Sequence, residues 1–169
     1  MPDEGDTASK VTVRDATVDD APEIHALAVE LAGAVGDALP DPDNVKTRLR
    51  ELLKAPEAGV YVAEGEDGVV GVVSLWIKPD LAHGDTVVEV PMLAVSEKAR
   101  RNGVGKLLIT TVQEIAAENE ADLIELVATR SNVAAREFYQ SLGFIEADVV
   151  ALEFVGDVET PPDPEAWGD

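Results

Sequence analysis

The sequence has no cysteine, only two histidines and no long apolar run. Without cysteine, disulfides, thiolate metal ligands and a cysteine nucleophile are excluded. His25 and His83 stand alone, with no ligand spacing around them, so we predict no metal site. No apolar stretch reaches the roughly 18 residues that a membrane-spanning helix needs. The first ten residues lack the basic and apolar regions of a signal peptide, so a cytoplasmic protein is expected.

Basic residues are also few: 13 stand against 34 acidic ones, which gives a net charge of -21. Nucleic acids and anionic membranes bind extended basic surfaces, so neither is expected as a partner. The acidity fits a cationic substrate, and it equally fits a surface adapted to a high-salt cytoplasm. With 169 residues, 46% of them hydrophobic, the chain is long enough for one globular domain with a proper core.

The spacing of apolar residues predicts the element order β-α-α-β-β-β-α-β-α-β. The predicted segments are an edge strand at 11–17, a helix from Asp20 to about Val35, a loop at 36–44, a helix at 45–54, a β-hairpin at 58–78 with its turn at 65–68, a strand at 85–96, a helix from Val104, an interior strand at 121–129, a helix at 132–142 capped by Ser131, and a last strand at 144–155. Hairpins mixed with crossovers predict an α/β domain with a mixed sheet over residues 11–155. We expect residues 1–10 to form a flexible leader and residues 156–169 a disordered acidic tail.

Pro91 lies inside the predicted strand at 85–96. Because proline cannot donate a hydrogen bond to a neighbouring strand, this strand must lie at an edge or carry a bulge there.

The segment KARRNGVGKLL, residues 98–108, concentrates four basic residues around two glycines, just before a predicted helix. In so acidic a chain this surplus indicates an anion-binding site. A Walker loop would need glycine at position 100 and serine or threonine at 107, and a dinucleotide fingerprint would need glycine at 108. What remains is Arg-x-x-Gly-x-Gly, whose glycines and free helix N–H groups suit an anion. A tight turn with solvated cations is the alternative.

A second motif follows in RSNVAAREFYQSLGF, residues 130–144, which carries Asn132, Tyr139 and a Tyr-x-x-x-Gly-Phe ending. With both motifs in this order, the sequence resembles the GCN5-related N-acetyltransferase (GNAT) superfamily from about Val11 to Phe154. Residues 88–108 look like its acetyl-CoA motif, and the helix from Asn132 to Tyr139 looks like its second motif. The resemblance implies a mixed sheet of six or seven strands, splayed at the cofactor site, and an enzyme that uses acetyl-CoA and no metal.

The resemblance also implies roles for individual residues. Loop N–H groups would hold the diphosphate, and pantetheine would lie along the strand. The residues that it places against acetyl-CoA are Leu93, Ala94, Val95, Arg100, Arg101, Asn102, Gly103, Val104, Gly105, Lys106 and Asn132. Tyr139 would protonate the departing CoA thiolate as general acid. Glu89 is the candidate base, but Pro91 stands where a second acid is common, so a chain of waters stays an alternative.

The implied reaction is acetyl transfer to a primary amine of a small molecule or peptide by direct attack, with the Leu93 N–H stabilising the oxyanion. A protein N-terminal or lysine acetyltransferase is one alternative. A non-catalytic acyl-CoA-binding module is another, and it would not need Tyr139 or Glu89. The acceptor would be held by the helix–loop–helix at 33–45 and by the later strands, where the sequence shows no recognisable pattern. Homodimers are common in the family, so the resemblance makes a homodimer a candidate assembly.

Overall fold

The computed structural model of the chain describes residues 10–157 and 159–160. The strands and helices, in chain order, are β1 (Thr12–Asp15), α1 (Ala21–Val35), α2 (Pro42–Lys54), β2 (Ala58–Gly65), β3 (Gly68–Asp80), β4 (Asp85–Val95), α3 (Val104–Glu118), β5 (Leu123–Leu126) and α4 (Val133–Ser141). Short 3-10 turns precede α1 and follow β4. Most of the predicted leader and tail lies outside the described residues.

The sheet is mixed, as predicted, with the strand order β1-β2-β3-β4-β5. Each adjacent pair among β1 to β4 is antiparallel, and β5 is parallel to β4. Short turns join β2 to β3 and β3 to β4, whereas β1 reaches β2 through α1 and α2, and the parallel step from β4 to β5 needs the α3 crossover. In the part of the chain that is described, the sheet has five strands rather than six or seven.

The sheet is covered by helices on both faces. On one face, α1 and α2 bury Ile24, Leu27 and Leu49 against Val62 and Val72. On the other face, α3 packs against the sheet through a second set of buried residues, which includes Val104, Leu108, Val112, Val73 and Val88. None of the helices in the described residues is long and apolar enough to cross a membrane.

The predicted bulge at Pro91 is confirmed by the register of β3 and β4. Ser74 lies opposite Met92 and Trp76 lies opposite Glu89, so Leu75 alone faces both Val90 and Pro91. Two residues against one is the pattern of a bulge, which bends the strand and ends regular pairing. The proline thus occupies the irregular position, where its missing N–H costs least.

Three predicted element details were wrong. Helix α2 begins at Pro42 rather than Val45, because the Asp41 side chain caps it by accepting from the Asn44 N–H at 3.1 Å. Asn132, not Ser131, caps α4, and its Oδ1 accepts from the Ala135 N–H at 3.2 Å. The predicted interior strand at 121–129 is the four-residue β5 at the end of the sheet.

The predicted last strand at 144–155 is also absent from the described structure. At the start of this segment, Arg136 and Gln140 of α4 both donate to Glu146, at 2.6 and 3.2 Å, and none of the described strands pairs with it. Without a ladder partner its backbone forms no strand, and apolar side chains such as Ile145 and Leu152 are about nine-tenths exposed. Alternating apolar residues predicted a strand but could not supply the partner.

Candidate active site

A gap opens between β4 and β5 immediately after the bulge. The two strands pair from Val87 to Val90, where Val90 lies opposite Leu126, and no pairing is described beyond that point. From Met92 to Val95, β4 remains paired with β3 only. The bulge therefore leaves one edge of β4 open over these residues.

The hydrogen bonds show which groups point into the gap. The Ser96 N–H donates to the Val70 carbonyl of β3 at 2.8 Å. Because residues of an antiparallel pair alternate between bonded and non-bonded positions, Ala94 and Met92 also face β3. The main-chain groups of Leu93 and Val95 thus point toward the open side. The Val95 carbonyl accepts a hydrogen bond there from Arg100 Nε at 3.4 Å.

The glycine loop closes the far end of this gap. Arg101 and Gly103 both have positive φ angles, of 68° and 77°, in the left-handed region. A non-glycine residue held there is strained, and such strain is concentrated at ligand-binding loops. Gly103 precedes α3 and supplies no side-chain cap, so the first N–H groups of this helix point outward without a side-chain partner. That arrangement is suited to an anion.

The basic side chains of the loop are available for such an anion. Lys98, Arg100, Arg101 and Lys106 are all exposed, and none of them forms a salt bridge with another described residue. In a chain with 34 acidic residues, this local surplus of unpaired positive charge favours anion binding over a simple turn. Asn102 is exposed beside them, whereas Val104 is 1% exposed, so only its main chain can contact a ligand.

Gly105 has a packing role that the sequence did not indicate. A Cβ on this residue would lie 2.8 Å from the Phe138 ring of α4. The glycine therefore lets α4 pack close to the start of α3. Beside this contact, Lys106, Gln113 and Leu142 line a cleft of about 250 Å³ between the two helices.

Tyr139 lies next to Phe138 on α4, in an aromatic cluster. Its ring centroid is 5.2 Å from that of Phe138 and 5.7 Å from that of Phe144. Burial raises the pKa of the Tyr139 hydroxyl above its ordinary value of 10.0. The phenol is thus fully protonated near neutral pH and can act as a proton donor.

Glu89 lies on the opposite face of the sheet from α3. It is opposite Trp76 and follows Val88, whose side chain packs into the α3 core. Since side chains alternate along a strand, Glu89 projects toward the face that carries α1 and α2. Its carboxylate is partly exposed and forms an ion pair with Lys78 of β3. Sequence reasoning missed Lys78, because the partners are joined only by the register of the hairpin.

A cavity of about 360 Å³ lies on this same face, between α1, α2 and the sheet. Val72, Ser74 and Met92 form part of its wall on the sheet side. Met92 directly precedes Leu93, so the cavity adjoins the open segment of β4. The loop from Gly36 to α2 contributes Pro40 and Asp41, which lie in the region around 33–45 where the acceptor is expected.

The structure brings most of the predicted site residues to two places. Leu93, Ala94 and Val95 line or flank the open edge of β4, although the Ala94 side chain is buried under α1 and α2. The second place is the glycine loop, whose predicted residues come directly after β4 in the chain. Asn132 is used as the cap of α4, so its amide has a structural role besides the predicted contact with the cofactor.

Sequence reasoning also missed a polar cluster at the turn between β3 and β4. His83 Nδ1 is 2.6 Å from Asp80 Oδ2, and atoms of Asp80, His83 and Asp85 lie within 4.8 Å of one another. The hydrogen bond to Asp80 raises the pKa of His83 above its ordinary value. His83 is therefore paired, and the absence of a metal site stays a prediction.

The chain is similar in sequence to a known family and to individual known proteins. Residues 22–144 match the sequence model of the family described as "Acetyltransferase (GNAT) family". An N-acetylaspartate synthetase from Xenopus tropicalis is 35% identical over 106 residues, which cover 61% of this chain and 36% of that protein. An aminoglycoside N(6')-acetyltransferase type 1 from Serratia marcescens is 27% identical over 115 residues, covering 66% and 79% of the two chains.

Solved structures share the fold. A structure described as a transcriptional regulator from Bacillus halodurans C-125 aligns with a TM-score of 0.77 and 24% identity, covering 86% of this chain and 99% of that one. The aminoglycoside N-acetyltransferase AAC(6')-Iy in complex with CoA aligns with a TM-score of 0.74 and 21% identity, covering 86% and 94%. At these identities the alignments show the fold alone. This chain spans little more than a third of the Xenopus relative's length and about four fifths of the Serratia relative's.

Proposed function

The chain belongs to the acetyltransferase (GNAT) family, and on that basis we propose that it transfers the acetyl group of acetyl-CoA to a primary amine by direct attack. One observation carries the proposal: the open edge of β4 leads directly into the glycine loop and the uncapped start of α3. An extended chain with an amide backbone fits the edge, and a diphosphate fits the loop.

The residues of the edge and loop match the chemistry of acetyl-CoA. Main-chain groups of Leu93 and Val95 would bond to the pantetheine amides. N–H groups from Arg101 to Lys106, with the unpaired charges of Arg100, Arg101 and Lys106, would hold the diphosphate. Bound there, acetyl-CoA would supply an activated thioester for acyl transfer.

The chain's own residues would then move two protons. The amine nitrogen forms a bond to the acetyl carbon as the carbon–sulfur bond breaks, with the Leu93 N–H stabilising the developing oxyanion. Tyr139 gives its proton to the leaving thiolate, and the amine's surplus proton passes to Glu89 or through water. The position of Glu89, on the face that bears the cavity, supports this role.

The acceptor would occupy the cavity between α1, α2 and the sheet. The names of the relatives support an amine acceptor, since one acts on aminoglycosides and another is an N-acetylaspartate synthetase. A protein N-terminus or a lysine side chain would present the same amine. A cytoplasmic location and a homodimer remain proposals, and light scattering after size exclusion tests the dimer.

Release of free CoA thiol tests the function directly. The protein is incubated with acetyl-CoA and a panel of amines and peptides, and the acetylated products are identified by mass spectrometry. We expect amine-dependent thiol release with one acetyl group gained per thiol. Tight acetyl-CoA binding with no acetylation of any amine would instead favour the acyl-CoA-binding module.

A further inference from the structure

The cavity beside β4 is lined mainly by apolar side chains. Buried residues of the core form its floor: Ile24, Leu49, Val60 and Val72 are each at most 5% exposed. Ala28 of α1 and Met92 of β4 complete the apolar wall. The polar lining consists of Ser74 on the sheet, Asp41 and Asn44 at the start of α2, and Arg48 one turn further along this helix.

This lining restricts the kind of ligand body that can enter. A hydroxyl or ammonium group pressed against such a wall would lose its water without gaining a hydrogen bond, which weakens binding. The volume of about 360 Å³ lies near the lower end for ligand pockets, which run from about 300 to 1,000 Å³. A polyhydroxylated, multi-ring aminosugar therefore fits poorly.

The end of the cavity beside the open edge of β4, where the acetyl group would be transferred, has a polar side chain in its wall, unlike the apolar floor. Ser74 lies opposite Met92, next to Leu93, and Glu89 projects from the same sheet face. An ammonium group directed to this end would meet the Ser74 hydroxyl, whereas Glu89, which is paired with Lys78, lies outside the cavity lining. The net charge of -21 also favours the approach of a cation over that of an anion.

We propose that the acceptor is a small amine with an apolar body, an alkylamine or arylalkylamine type of group, which lies against α1 and α2 with its nitrogen toward Ser74 and the open edge of β4. The identification of this ligand as an acceptor rests on the proposed function. The preference of the cavity for apolar ligands does not rest on the proposed function, because it depends only on the residues that line the wall.

A series of straight-chain amines from n-propylamine to n-hexylamine tests the proposal. Their nitrogens are chemically alike, so the series varies only the apolar length. Each methylene that enters the cavity should raise kcat/KM about fourfold, the worth of one buried methylene. The 6-amino-1-hexanol analogue should lose most of the gain of n-hexylamine.

Two matched variants place the effect in the cavity. Ala28 lines the cavity, whereas Ala26 is exposed on the same helix. Ala28→Phe should fill the space and flatten the dependence on chain length. Ala26→Phe adds the same ring outside the cavity and should leave that dependence unchanged.

Calorimetric binding of the same amines separates this inference from the proposed function. Affinity that rises with chain length and flattens in Ala28→Phe supports the apolar cavity even if no amine is acetylated, in which case the proposed function fails. Acetylation of n-propylamine and n-hexylamine with equal kcat/KM would overturn the inference while the function stands. Equal or undetectable binding of both amines, without acetylation, would likewise overturn it.

Discussion

Tyr139 is the residue whose chemistry is easiest to isolate, because Tyr139→Phe removes one hydroxyl and little volume. Its ring packing against Phe138 and Phe144 should survive. Loss of a general acid costs about 10²–10⁴ in rate, and a thiolate leaves fairly readily, so we expect a fall in kcat of about 10²-fold. The Michaelis constants should change little, since the proton is transferred only in the transition state.

The chain offers a matched control for this measurement. Tyr61, on β2, is the only other tyrosine and is also partly buried. Tyr61→Phe should retain full turnover. Equal rates for Tyr139→Phe and the unmodified protein, with an amine that is demonstrably acetylated, would remove Tyr139 from the catalytic role.

Asp20 illustrates a residue that acts on stability alone. Its buried carboxylate accepts two hydrogen bonds of 2.9 Å from Arg14 and one of 2.8 Å from the Thr17 N–H. The Arg14 hydrogen bonds hold the pKa of Asp20 below its ordinary value of 3.8. Because the folded pKa is depressed, this stabilisation is present above about pH 4 and is lost as the pH falls through the folded pKa.

We therefore expect Asp20→Asn to lower the free energy of unfolding at pH 7 by about 1–3 kcal/mol. The difference from the unmodified protein should begin to shrink below about pH 4, where the carboxyl of the unfolded chain protonates, and should disappear below the depressed pKa of the folded carboxyl. Urea unfolding at pH 7 and pH 3 measures both values. A difference that is the same at the two pH values would contradict the charged pairing.

At the scale of elements, the contact between α3 and α4 depends on Gly105. Gly105→Ala would place a methyl 2.8 Å from the Phe138 ring, and relieving the contact should cost about 1–3 kcal/mol of unfolding free energy. Gly33, on α1, has no neighbour within 4 Å of the same position. Gly33→Ala should be neutral or stabilising by up to about 1 kcal/mol.

Gly105→Ala should also lower the affinity for acetyl-CoA more than Gly33→Ala does. The displacement of α4, which carries Tyr139, would disturb the start of α3 and the loop that precedes it. Thermal denaturation and calorimetry on the two variants decide this. Should Gly105→Ala match Gly33→Ala in both stability and affinity, the packing account of Gly105 would be wrong.

Elements that are determined by residues close together in the sequence could be predicted from it. Apolar spacing indicated each helix, turn residues indicated the hairpin, and Pro91 indicated its own bulge because a missing N–H is a property of one residue. The final strand could not be predicted correctly, since a strand also needs a partner, and none of the described strands pairs with residues 144–155.

The same distinction applies to the site. The glycine loop was visible as a motif because its residues are contiguous. The pairing of Lys78 with Glu89 depends on a register across 11 residues of hairpin, and the contact of Gly105 with Phe138 joins two helices. Neither leaves a pattern in the sequence. The cavity was predicted only as a region near 33–45, without its apolar character.

At the scale of the whole molecule, the net charge of -21 is the main electrostatic feature. The described ion pairs use few of the acidic groups, so the remaining carboxylates repel one another in the folded state. If the surface is adapted to high salt, Tm should continue to rise with KCl well beyond about 0.15 M, where the Debye length is already about 8 Å. A Tm that is flat between about 0.15 M and molar KCl would leave a cationic substrate or an unrelated composition bias as the explanation of the acidity.

The central claim is that acetyl-CoA binds along the open edge of β4 and at the glycine loop. The most direct test is a titration of the isotopically labelled protein with acetyl-CoA, followed through its backbone amide NMR signals. We predict the largest shifts at the amides of Leu93 and Val95 and from Arg101 to Lys106, with small shifts in β1 and β2. Shifts confined to other elements, or none at saturating acetyl-CoA, would contradict the account.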